Sequence, residues 1–175
     1  MTQNSRPIIR RGVSADAYLL AEISARTFYE AFAADNTAED MAAYLAASFK
    51  STQQAAELDD PRTIFLIAEV DGVAVGYARL HAGLASECIA GEKPIELSRL
   101  YVSNDWLGRG VGESLMRACL DAMRQEGYRT LWLGVWEHNS RARAFYRKWE
   151  FREVGEQIFQ LGADQQTDVV MERSL

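Results

Sequence analysis

Residues 94–135 leave the chain little choice of architecture. Pro94-Ile-Glu-Leu-Ser-Arg-Leu-Tyr-Val102 alternates Ile95, Leu97, Arg99 and Tyr101 with Glu96, Ser98, Leu100 and Val102, the period of two that a strand requires. Leu107-Gly-Arg-Gly-Val-Gly112 follows, and then Leu115, Met116, Cys119, Leu120 and Met123 recur at helical spacing before Gly127. Thr130-Leu-Trp-Leu-Gly-Val135 returns as a buried strand. Strand, glycine turn, helix, strand is a βαβ unit, and its two strands must run parallel because the helix carries the chain back to the starting end.

The segments around this unit have to supply the rest of a sheet and its cover. Upstream, Thr63-Ile-Phe-Leu-Ile-Ala-Glu-Val70 and residues 73–80 are rich in β-branched and aromatic residues and are joined by Asp71-Gly72, the strongest short-range hairpin signal. Before them, Ile8-Ile9-Arg10-Arg11 reads as an edge strand. Ser14 and Asp16 start a helix carrying Leu20, Ile23, Thr27 and Ala31, Thr37-Ala-Glu-Asp40 caps a second helix, and Ser51-Thr-Gln-Gln54 opens a third. Downstream, a helix from about Ser140 is expected to bury Ala142, Phe145, Tyr146 and Trp149, and two further strands are expected at 151–161 and 167–172. No repeat or long linker interrupts the 175 residues.

Composition removes several function classes. The formal charge is −6, which argues against binding nucleic acid or anionic membrane through overall charge, since phosphate backbones are held by clustered Lys and Arg. The stretch Met1 to Pro7 has no apolar signal run, and nowhere are there the roughly 18 consecutive apolar residues of a membrane span, so a cytoplasmic protein is expected. Cys88 and Cys119 lie far apart and only His81 and His138 accompany them, so no metal site is expected.

The glycine turn carries the most chemistry. Gly108, Gly110 and Gly112 let the backbone approach a ligand and aim free amides from the start of a helix, a place that suits an anion. A tight connection with no ligand is the plain alternative. No Lys-Ser or Lys-Thr follows the last glycine, and no second mononucleotide half is present, so the expected guest is a pyrophosphate, but not that of ATP or NAD.

The three segments Ile95-Glu-Leu-Ser-Arg-Leu-Tyr-Val102, Leu107-Gly-Arg-Gly-Val-Gly-Glu-Ser-Leu-Met116 and Leu133-Gly-Val-Trp-Glu-His-Asn-Ser-Arg-Ala-Arg-Ala-Phe-Tyr146, in that order and spacing, resemble the Gcn5-related N-acetyltransferase (GNAT) superfamily. The amino-terminal third is similar to a bacterial subgroup that includes polyamine acetyltransferases. The resemblance implies one N-acetyltransferase domain over residues 1–175. Its fold would be α/β, with a mixed, mostly antiparallel twisted sheet of six to seven strands flanked by helices. It implies acetyl-coenzyme A as cosubstrate and no metal. Leu100, Tyr101 and Val102 would expose backbone to the pantetheine arm. Gly108, Arg109, Gly110, Val111, Gly112 and Glu113 would form the pyrophosphate turn, and Asn139 would reach the cofactor from the loop after the next strand. Tyr146 would sit where the family places the acid that protonates the departing thiolate. Leu107 departs from the family's Gln or Arg, and Trp149-Glu150-Phe151 stands where Gly-Phe is usual.

Acyl transfer to an amine needs a neutral nitrogen, a donor for the developing oxyanion and a proton for the thiolate, without covalent catalysis. Glu96 is the candidate base. Its plain alternative is a solvated carboxylate or a partner of Arg99, and spacing alone would put Tyr146 in the core. His138 and Cys88 read as a loop residue and an inert thiol, and Trp132 and Trp136 as packing residues. The expected activity is acetyl transfer to a primary amine, a polyamine or another small amine, by direct attack in a ternary complex. Glu30, Asp35, Glu39 and Asp40 could draw in such a cation. A non-catalytic coenzyme A-binding module and a protein or peptide N-acetyltransferase, which would need an open groove beside Glu96, are the alternatives. The superfamily resemblance also allows a homodimer.

Overall fold

A computed structural model describes residues 6–175. The absence of a signal run in residues 1–5 therefore lies outside the described residues. Seven strands form one sheet in the order β1-β2-β3-β4-β5-β7-β6: β1 (Ile8–Arg11), β2 (Thr63–Val70), β3 (Val73–His81), β4 (Pro94–Val102), β5 (Thr130–Trp136), β6 (Arg152–Leu161) and β7 (Asp164–Ser174). Five α-helices flank it: α1 (Ala17–Phe32), α2 (Ala38–Ser48), α3 (Ser51–Asp59), α4 (Val111–Gln125) and α5 (Ser140–Lys148).

The apolar run of β2 is continuous because both of its faces are covered. Ile64, Leu66, Ala68 and Val70 join the core under α4, while Phe65 and Ile67 join Leu20 and Ile23 of α1. Asp71 and Gly72 turn the chain with positive φ at both positions (51° and 79°), as a tight hairpin of matching twist requires. Thr37 caps α2 by accepting the Asp40 amide at 3.1 Å. A third cluster, Phe28, Met41, Phe49 and Leu161, ties α1 and α2 to the β6 end of the sheet. β7 runs longer than the sequence pattern suggested, because all of its outer half pairs with β6.

One junction differs from the rest. Every neighbouring pair is antiparallel except β4 and β5, which run parallel and stay paired only at Pro94, Ile95 and Glu96, opposite Thr130, Leu131 and Trp132. Beyond Glu96 the two strands part. The register of β4 on β3 slips between Leu97 and Arg99, leaving Ser98 as an extra residue, and such a bulge bends the strand that carries it. Ser98 holds the bend through its hydroxyl, which donates to the Arg79 carbonyl (3.2 Å) and accepts from Arg79 Nη1 (3.0 Å).

The end of α5 shows the cost of the missing glycine. Glu150 takes φ 66° so that the Phe151 amide can close back on the Tyr146 carbonyl at 3.1 Å. Its carboxylate gains only an exposed ion pair with Arg173. Glu150→Gly should therefore raise the unfolding free energy by about 0.5–1 kcal/mol, read by urea denaturation.

Candidate active site

The wedge between β4 and β5 opens into two adjoining cavities that share Leu100, Tyr101, Asn139, Ala142 and Tyr146. The larger, about 570 Å³, runs along the outer part of β4 to the glycine turn and is bounded by Thr27, Glu30 and Ala31 of α1 and by Arg141 and Phe145 of α5. The smaller, about 170 Å³, lies under α1 and α2.

The groove has the character of an anion site at one end. Gly108 and Gly110 hold φ of 73° and 81°, which turns the chain sharply into α4, and the Ser114 amide is the first of that helix to bond back, to the Gly110 carbonyl. The amides before it have no intrahelical partner. Arg109 lies over the Trp106 ring, 5.2 Å from its centroid, with its charge exposed, and Arg141 adds a second cation that the sequence reading passed over. Two carboxylates border the groove, but each is occupied: Glu30 accepts the Asn104 amide at 2.9 Å, and Glu113 pairs with Lys148 at 3.2 Å. The Val111 side chain is in the core, so only its amide belongs to the turn. Asn139 uses Oδ1 to cap α5 through the Ala142 amide at 3.1 Å, and lines both cavities. Ala142 and Phe145 are half-buried, not buried, because they form the groove wall.

Tyr146 lies at the meeting point. It is buried, 8% exposed, yet borders both cavities, and burial, with Cys119 nearby, pushes its phenol well above the usual range. Spacing had placed it in the core and the family resemblance in the site; in the fold it is buried and borders both cavities.

Aromatic side chains enclose the smaller cavity: Phe28, Phe32, Tyr44, Phe49, Trp136 and Phe159. Trp136, read from the sequence as packing, is one of its walls. Glu96 faces the cavity with no ion-pair partner among the described residues, and burial raises its carboxyl against the opposing pull of Arg79 and Arg99. Arg99 goes instead to Glu57 of α3, with Nη1 and Nη2 on the two carboxylate oxygens at 2.7 and 3.0 Å, and lies over the Phe49 ring. Arg79 approaches the same carboxylate at 3.2 Å. Burial acts to raise the Glu57 carboxyl, but the guanidinium groups, Arg99 above all, hold it below its usual value. Asp168 of β7 also faces the cavity, and burial, then repulsion from Glu96, pushes it up to about 6. No local pattern pointed to Glu57 or Asp168, which come beside Arg99 and Glu96 only through the tertiary fold. The acids Glu30 and Asp40, in contrast, are taken up elsewhere, Asp40 by the Ala163 amide at 2.8 Å.

The acetyltransferase (GNAT) family model matches residues 21–151. An N-acetyltransferase of Mycobacterium tuberculosis is 38% identical over 160 residues, 91% of this chain and 98% of its own. Another, in the pepI 3′ region of Lactobacillus delbrueckii subsp. lactis, is 33% identical over 153 residues, 87% of this chain and 88% of its own. Among solved structures, PaiA N-acetyltransferase from Thermoplasma acidophilum in complex with coenzyme A aligns with TM-score 0.76 at 20% identity, covering 97% of this chain and 99% of that one. YncA from Salmonella typhimurium with acetyl-CoA aligns with TM-score 0.74 at 19% identity, covering 98% and 95%. The chain belongs to the acetyltransferase (GNAT) family, which makes it an acetyl-coenzyme A-dependent acyltransferase.

The buried carboxyl of Asp168 has a measurable signature. The folded protein holds this proton more tightly than the unfolded chain, so stability is lost as pH rises from about 4, the ordinary aspartate value, through about 6. Asp168→Asn should be about 1–2 kcal/mol more stable than the parent at pH 8, with the difference vanishing toward pH 4, measured by denaturant titration at both values.

Proposed function

We propose that the chain acetylates a small primary amine, polyamines among the candidates, by direct attack within a ternary complex. The observation that carries this reading is the small, aromatic-walled cavity beside Glu96, joined to the groove at Tyr146. A cavity of about 170 Å³ closed over by α1 and α2 suits a small molecule better than a length of polypeptide.

Coenzyme A fits the groove. Turn amides 108–113, Arg109 and Arg141 would hold its pyrophosphate, and Leu100, Tyr101 and Val102, freed from β5, would pair with the pantetheine arm. Bound acetyl-coenzyme A supplies an activated thioester. Glu96, its carboxyl raised by burial, takes the ammonium proton directly or through a water. Tyr146, kept protonated by burial, gives its proton to the leaving thiolate. The parting of β4 from β5 leaves unpaired backbone amides beside the reacting carbonyl, the kind of donor that stabilises an oxyanion. We place the whole of residues 1–175 in this one domain, working in the cytoplasm, with self-association as a homodimer allowed by the family.

A thiol-release assay with acetyl-coenzyme A across small amines, amino acids and peptides tests the reading; thiol release confined to peptides, or absent throughout, contradicts it. Tyr146→Phe should lower kcat at least about tenfold, roughly 1.4 kcal/mol, with coenzyme A affinity unchanged. Gly112 has room for a Cβ, 3.8 Å from Phe145 and 4.0 Å from Val102, but a longer side chain would enter the groove. Gly112→Leu should therefore weaken coenzyme A binding by calorimetry while the protein stays folded.

A further inference from the structure

Asp168 is out of place for a structural residue. It is 8% exposed, and among the described residues its carboxylate enters no hydrogen bond or ion pair. A buried carboxylate without a partner is costly, and the fold does nothing to relieve it. Its register neighbours offer no cation: Trp136 on β5 and Gln157 on β6. The charged group coupled to it is Glu96, which has the same sign.

The floor between the two acids is bare. Trp132 and Trp136 are the β5 register partners of Glu96 and Asp168, and Gly134 lies between them on the same face of the strand. A Cβ on Gly134 would stand 3.0 Å from Asp168 Oδ2 and 2.5 Å from Gln157 Nε2, so any side chain there must push the tips of Asp168 and Gln157 aside. The result is a gap in an aromatic-walled cavity with a carboxylate at either side.

Resting on the reading of this cavity as the acceptor site, we propose that Asp168 is an acceptor-binding residue: with Glu96 across Gly134 it receives a cationic amine and rejects amines that carry a carboxylate on the neighbouring carbon. An ammonium group supplies the charge-assisted hydrogen bonds that Asp168 lacks, and the surrounding aromatic faces favour a cation. The cation already in the cavity, Arg99, is paired with Glu57 in a two-pronged fork. Three of its five N–H donors are engaged, two on Nη1 by Glu57 and Gln54 and one on Nη2 by Glu57. An α-amino acid would therefore bring a further carboxylate to a site whose arginine charge Glu57 already matches, beside Glu96 and Asp168 of the same sign.

Matched acceptors isolate this effect: 2-phenylethylamine with phenylalanine, tyramine with tyrosine, and 1,5-diaminopentane with lysine, each assayed by thiol release. The parent should favour the amines that it acetylates over their amino acids by about a hundredfold or more in kcat/KM. Asp168→Asn should raise KM for those amines at least about tenfold with a smaller change in kcat, and narrow the preference, while coenzyme A affinity is kept and stability at pH 8 is not lowered. Gly134→Ala, which keeps the acid and fills the floor, should raise the same KM and serves as the second variant. Preference for the amino acids, or amine KM unchanged in both variants, overturns the proposal while leaving amine acetylation standing. Loss of stability and coenzyme A affinity together in Asp168→Asn would make the residue structural and overturn it too. No thiol release from any acceptor by the parent, with acetyl-coenzyme A bound, removes the amine-transfer reading and this proposal with it.

Discussion

The organising constraint is a parallel strand pair that is allowed to come apart. Two strands linked through a helix must run parallel, and β4 and β5 pair for only three residues before the bulge at Ser98 turns β4 away. A sheet interior that opens in this way exposes backbone amides and carbonyls in the middle of a protein, where water alone would be a poor substitute for a partner. The groove, the cavity behind it and the position of Tyr146 between them all follow from that parting. The glycine turn depends on it as well, because it must carry the chain from the end of the departing strand into α4.

Charge is managed locally, against the overall balance of −6. In the proposed reading an anionic cosubstrate approaches an acidic protein, and the groove presents helix-start amides and two exposed arginines, Arg109 of the turn and Arg141 of α5, while its bordering carboxylates, Glu30 and Glu113, are held by the Asn104 amide and Lys148. Behind the sheet, Arg79 and Arg99 face Glu57, Glu96 and Asp168 in a buried cluster. Glu57 takes the guanidinium contacts, and among the described residues this leaves the other two acids without an ion pair. The carboxylates that face the smaller cavity are thus kept unpaired by the way the cluster is partitioned, and not by surplus acid on the surface.

Local pattern was enough to read much of this fold. β2, β3 and β4 begin and end close to where β-branched runs, Asp71-Gly72 and the 94–102 alternation place them, because turn chemistry and two-residue periodicity act over a few residues. The helix positions on α4 were equally plain. The parting of β4 and β5 was not, since it depends on a register slip against β3. Trp136 looked like packing because a strand-end tryptophan gives no sign of which cavity it will wall. Asp168 and Glu57 were invisible for a related reason: one lies in an alternating strand and the other on a helix remote in sequence, and only the folded sheet brings them to Glu96 and Arg99. Tyr146 was singled out by resemblance, where spacing alone favoured the core, and Glu96 by the base that the chemistry needs, weighed evenly against a plainer role.

The central claim, that the opened strand and the glycine turn together form the coenzyme A site, is tested most directly by following backbone amides during a coenzyme A titration of ¹⁵N-labelled protein by NMR. The account predicts that the largest shifts fall on residues 100–102 and 108–113, with Asn139 and Tyr146 next. Saturable binding that leaves the 108–113 amides unmoved, with the largest shifts elsewhere on the molecule, would contradict it.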